Sequence, residues 1–169
     1  IKHVLIIRLT SMGDVAMTIP VIRIVLKQHP ALKISILTKP IFIELFREFK
    51  KANLIAIETK GRHAGLLGIF RLRNELKELN IDAVIDLHNV LRSNVLKFFS
   101  RGIYFKQIDK GRIEKKALVS GKSFKPLKTT IERYSDVFKS LGFPLDFSNS
   151  KFPIKPELST RVYNLIGQD

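Results

Sequence analysis

The chain has 169 residues, 45% of them hydrophobic, and sets 30 lysines and arginines against 15 acidic residues, a net charge of +15. That length and apolar content suit one ordinary domain with a full core and argue against a disordered chain. The lack of cysteine excludes disulfides and thiolate metal sites, and no apolar run approaches the ~20 residues that cross a bilayer.

Val4-Leu5-Ile6-Ile7 reads as a strand buried on both faces, over residues 3–8. Thr10 to Gly13 supply a tight polar loop. From Asp14 the apolar positions Val15, Ile19, Ile22, Val25 and Leu26 follow helical spacing, so a helix is expected over 14–28, ended by His29-Pro30. A second strand is expected over 33–38, a short amphipathic helix over 41–50 and a third strand over 54–57. After a loop at Gly61–Gly65, residues 66–80 form a clear helix, 83–87 a fourth strand, and Asn89 or Val90 starts a helix to Phe99. Residues 103–105 make a brief fifth strand. The basic stretch that follows reads mostly as loop, with one short helix around 112–119. Thr129 or Thr130 caps a helix that carries Glu132 in its first turn and stops at Gly142. Lys151 to Pro156 looks extended, and 157–166 begins another helix. The expected organisation is a domain over 1–156, with 157–169 leading as linker or helix toward a further domain.

Strands alternating with helices specify an α/β fold, a Rossmann-like parallel sheet with helices on both faces. In such sheets ligands bind beyond the carboxyl ends of the strands. Asp14 lies there, either as a cap of the first helix or as a general base facing a cleft. The loop lacks the glycine-lysine pair of a Walker loop and the G-x-G-x-x-G of a dinucleotide site, which disfavours an ATPase or NAD enzyme. His88, in Asp86-Leu87-His88-Asn89, falls at the end of the fourth strand and reads as a loop histidine or as a ligand-binding one. Arg92 reads as surface charge or as a holder of phosphate or carboxylate. The histidines lack metal-ligand spacing, so no metal site is expected.

The charge is concentrated. From Arg101 to Lys128 nine basic residues face only Asp109 and Glu114. Such a segment is either a solvated loop or a binder of polyanions. Phe98, Phe99, Phe105 and Phe124 interleave with it, yet no nucleic-acid motif accompanies them.

Four stretches resemble glycosyltransferase family 9, the bacterial lipopolysaccharide heptosyltransferases. They are Ile7-Arg8-Leu9-Thr10-Ser11-Met12-Gly13-Asp14-Val15 with Thr18-Ile19-Pro20; His29-Pro30 before Ile34–Thr38; Ile85-Asp86-Leu87-His88 with Leu91-Arg92-Ser93; and Ile131-Glu132-Arg133-Tyr134 before Leu141-Gly142. The resemblance implies the amino-terminal, acceptor-side half of a two-domain glycosyltransferase B fold. It implies an inverting, metal-independent transfer with no cofactor, from a nucleotide-sugar donor (typically ADP-heptose) bound mainly by the other half. The acceptor would be a phosphorylated glycolipid of the lipopolysaccharide core or a similar envelope glycan. Asp14 is then the candidate base; Thr10, Ser11, Gly13, His88 and Arg92 are candidates for acceptor or phosphate binding. A cytoplasmic placement follows, peripheral on the inner membrane, with the basic segment meeting its anionic surface and no nucleic acid bound. On that reading this half alone is inactive. The alternative is a non-catalytic basic α/β module that binds RNA or a mononucleotide.

Overall fold

A computed structural model describes residues 1–100 and 102–148. The extended tail expected at 151–156, the helix expected from 157 and the boundary between them lie outside these residues.

Five parallel strands form the sheet: β1 (His3–Ile7), β2 (Lys33–Thr38), β3 (Asn53–Ala56), β4 (Ala83–Asp86) and β5 (Tyr104–Gln107), in the order β3-β2-β1-β4-β5. Central β1 buries Val4, Leu5, Ile6 and Ile7 almost completely, which explains its unbroken apolar run. The edge strands β3 and β5 are only partly buried and more polar.

The two faces of the pleat feed two cores. Val4, Ile6, Ile36 and Ile85 pack with α2 (Thr18–Gln28) and α6 (Thr130–Lys139) on one side. Leu5, Ile7, Leu37 and Val84 pack with α3 (Gly65–Lys77) and with Leu96 of α4 (Leu91–Phe99) on the other. This is the Rossmann-like α/β architecture the sequence predicts, and every strand falls within two residues of its expected span.

The helix expected over 14–28 is two helices. Here α1 (Met12–Ala16) ends at Met17 before α2 begins. Pro20 explains the break: it has no N–H for the carbonyl of Ala16, four residues earlier, so a continuous helix would leave that group unpaired. The segment expected as a helix over 41–50 is a 3-10 turn, Pro40–Phe46, which buries Phe42 and Phe46. In the basic stretch α5 spans Arg112–Val119, as expected, and buries none of its residues. At α6 the cap is reciprocal: Glu132 N–H donates to Thr129 Oγ1 at 3.2 Å, and Thr129 N–H donates to Glu132 Oε2 at 2.6 Å.

Candidate active site at the switch point of the sheet

Strand order reverses between β1 and β4. From β1 the chain moves outward to β2 and β3; from β4 it moves the other way to β5. Ile7 and Asp86 are partners across that boundary, so the loops after β1 and β4 open side by side at the carboxyl edge. This is where an open α/β sheet forms its binding crevice.

Arg8, the first residue past β1, organises the site. It is 8% exposed. Its guanidinium donates to the carbonyl of Leu87 in the β4 loop and pairs with Asp14 Oδ2. The Ser11 N–H and hydroxyl also reach Oδ2, at 3.4 and 3.1 Å. Asp14 is therefore the third residue of α1, and the N-cap is Ser11. The capping role and an outward-facing role coexist, because the Asp14 side chain keeps 42% of its surface exposed. Partial burial raises its carboxyl, but the Arg8 charge and the Ser11 hydrogen bonds outweigh that and hold it below its ordinary 3.8. Asp14 is ionised throughout the neutral range.

On the facing loop His88 is nearly buried. Its Nε2 lies 3.4 Å from Thr10 Oγ1, and its Nδ1 has no protein partner. Burial, and then the Arg8 charge, push its pKa down to about 4, so the ring is neutral at pH 7. Asp86 braces this loop from below. It accepts from the His88 and Asn89 N–H groups through Oδ1 and from Gln107 through Oδ2, each at 2.9 Å.

The predicted site residues divide. Thr10, Ser11, Asp14 and His88 come together. Gly13 lies beside them in α1, and a Cβ there would meet nothing within 4 Å, so its surroundings are open. Arg92 goes elsewhere. Its guanidinium donates to the carbonyl of His63 at 2.7 Å, in the loop before α3. That bond ties α4 to its neighbour and does not serve the Asp14 cluster.

Three residues enter that sequence reasoning missed as site members. Arg8 was only part of a motif. Tyr134, from α6, is fully buried and donates its hydroxyl to the Asp14 carbonyl at 3.1 Å, while the Arg8 guanidinium lies 5.9 Å from its ring centroid. Lys110, past β5, shares the field of the cluster: burial first, then the Arg112 and Arg8 charges, lower its pKa. A buried tyrosine on a helix gives no sequence signal for a partner 120 residues away. Lys110 could have been found by treating the β5 exit like the exits of β1 and β4. Two concavities lie away from this chemistry, one of about 220 Å³ lined mainly by apolar groups of α3, α4 and the sheet, and one of about 160 Å³ beside Arg133.

Arrangement and fold together define a class: an open, parallel α/β sheet with a cluster of charged and polar side chains at the strand reversal. No family model matches the sequence, and no curated protein matches it significantly. Solved structures do. A glycosyl transferase family 9 structure from Veillonella parvula superposes with TM-score 0.71 at 20% identity, over 99% of this chain and 51% of that one. The Escherichia coli heptosyltransferase WaaC, bound to ADP-2-deoxy-2-fluoro heptose, gives TM-score 0.64 at 21% identity, over 87% of this chain and 50% of that one. The ADP-heptose lipopolysaccharide heptosyltransferase II of the same organism gives TM-score 0.55 at 20% identity, over 80% and 39%. The chain thus spans about half or less of the length of these structures, and it shares their fold.

Proposed function

We propose that this chain is the amino-terminal, acceptor-side half of an inverting, metal-independent glycosyltransferase of family 9. The full-length enzyme moves a heptose-like sugar from a nucleotide-sugar donor to lipopolysaccharide core or a similar envelope glycan. One observation carries the reading: the Asp14 carboxylate, anchored through one oxygen, stays open to solvent at the switch point of a sheet shared with heptosyltransferases.

In the proposed reaction an acceptor hydroxyl attacks the anomeric carbon as the bond to the nucleoside diphosphate breaks. Asp14 takes the hydroxyl proton. A carboxylate held at low pKa is a weak base toward a resting alcohol, but it suffices once the forming carbon–oxygen bond has made that proton acidic. Neutral His88 on the facing loop and the Thr10 hydroxyl on the loop of Asp14 itself supply uncharged hydrogen-bonding groups. Lys110 and Arg112 offer positive charge to acceptor phosphates or carboxylates. Lys115, Lys116 and Lys122 are exposed on the basic segment and support attraction to the anionic surface in which such an acceptor sits.

The test is a screen of nucleotide-sugar donors on the full-length protein with mass detection of product. Transfer of a sugar to a phosphorylated core acceptor is expected. No transfer from any donor, together with submicromolar RNA binding that weakens steeply with salt, would establish the basic binding module instead.

A further inference from the structure

We infer that the outer face of α3 and α4 is a membrane-landing surface that inserts apolar side chains into an anionic lipid leaflet. The inference concerns binding and holds whether or not the sugar-transfer reading does.

Both helices turn one side to the sheet. Ile69, Leu72 and Leu76 of α3 and Leu96 of α4 are buried there. An ordinary surface helix is polar on the opposite side. These two are not. Leu66, Leu67 and Phe70 on α3 and Leu91 and Phe98 on α4 are all exposed, with Leu67 at 83% and Leu91 at 80%. A run of rings joins the two sets across the groove: Phe70 meets Phe99 edge-on at 6.0 Å between centroids, and Phe99 meets Phe98 at 5.6 Å. The result is one apolar surface across two packed helices. Exposed patches of that kind mark interaction sites.

The charge around the patch selects the occupant. Residues 62–77 and 91–99 contain six basic side chains and one acidic, Glu75. That glutamate is already engaged by Arg62 and His63. Arg71, Arg73 and Arg92 donate to the backbone carbonyls of Arg62, Phe99 and His63, and Lys97 donates to the Gln107 side chain. None of these four is neutralised by a carboxylate among the described residues. Apolar side chains ringed by unneutralised arginine and lysine match a leaflet with acyl chains below and anionic headgroups above. A second copy of the chain matches poorly. A two-fold interface would set the same basic rim against itself, on a chain already at +15. The overall charge draws the protein to the membrane, and the patch decides which face lands.

The experiment is co-sedimentation of the full-length protein with phosphatidylcholine vesicles, with and without one-third phosphatidylglycerol. The wild type is expected to bind the anionic vesicles and not the neutral ones. Leu66→Ser/Leu67→Ser/Phe98→Ser should weaken that binding by about tenfold or more with an unchanged thermal midpoint. Arg71→Gln/Lys97→Gln should weaken binding to the anionic vesicles by about tenfold; unchanged binding would overturn the role given to the basic rim. Wild-type binding by the apolar variant would overturn the inference, even if Lys115→Glu/Lys116→Glu/Lys122→Glu abolished binding, since charge alone would then be docking the protein. A large drop in thermal midpoint of the apolar variant would also overturn it, because the patch would then be covered by the rest of the folded chain.

Discussion

Two arginines in this domain are buried to almost the same degree and do opposite things. Arg133 on α6 is 7% exposed, and all three of its guanidinium nitrogens are bonded: Nε to the Lys128 carbonyl, one terminal nitrogen to the Asp109 carbonyl, the other to Glu114 at 2.7 Å. Gly111, with φ +60°, lets the backbone pass so close that a Cβ would fall 2.3 Å from that guanidinium. Arg8, at 8%, is bonded to the Leu87 carbonyl and to Asp14, and its buried Nε has no protein partner. A buried donor left unpaired is unfavourable by ~1–3 kcal/mol, a cost that purely structural clusters normally avoid. The saturated cluster locks the basic segment to the body of the domain. The unsaturated one holds a half-exposed carboxylate at the switch point of the sheet.

That contrast predicts opposite outcomes for the same substitution. If the proposed sugar transfer holds, Arg8→Met in the full-length protein should lower it by ~10²-fold, because the carboxylate loses the group that fixes it. It should leave stability within ~1 kcal/mol, since the exposed Asp14 can rehydrate. Arg133→Met should do the reverse, destabilising the fold by ~2–3 kcal/mol in denaturant unfolding through three lost hydrogen bonds. Equal stability losses at the two positions would erase the distinction drawn between them.

Smaller changes sharpen it. Burial pushes the Tyr134 hydroxyl up to about 12, so it keeps its proton and donates to the Asp14 carbonyl. Tyr134→Phe should lower stability by ~0.5–1.5 kcal/mol, read by denaturant unfolding, with a parallel small loss of turnover. His88 titrates near 6.5 when unfolded and about 4 when folded. The unfolded state therefore binds the extra proton first, and stability falls as pH drops from 6.5 toward 4 while staying level above that window. In His88→Gln this acid slope should flatten. Asp14 does not mask the effect over most of this range, because its own stabilisation is lost only as pH falls below its ordinary value of 3.8 toward the lower folded one. Thermal midpoints across pH 4–8 for the two proteins measure the difference.

The sheet was legible in the sequence because its signal is local. Four apolar residues in β1 and alternating or continuous apolar runs in β2 and β4 fix strand type without knowledge of partners. The break at Met17 was also written there, in Pro20, but helical spacing on both sides masked it. In the site, Asp14 and His88 were legible because each follows the end of a strand in a sheet whose class the alternation already implied. What was lost is what depends on direction. Nothing in Leu91-Arg92-Ser93 says that the guanidinium turns toward the His63 carbonyl and away from the crevice. Tyr134 sits in the core, and its hydroxyl contact is set by how α6 packs over the sheet. Arg8 follows an unbroken strand, and its burial becomes evident only when the β4 loop closes over it.

The most direct test is Asp14→Asn in the full-length protein, with sugar transfer followed by mass detection and folding followed by thermal unfolding. If the open carboxylate takes the acceptor proton, transfer falls by ~10²–10⁴-fold while the thermal midpoint falls only modestly, because the half-exposed amide still accepts the Ser11 hydrogen bonds although the charge pairing with Arg8 is lost. Transfer near the wild-type rate would contradict the account and leave Asp14 as no more than the far end of a helix cap.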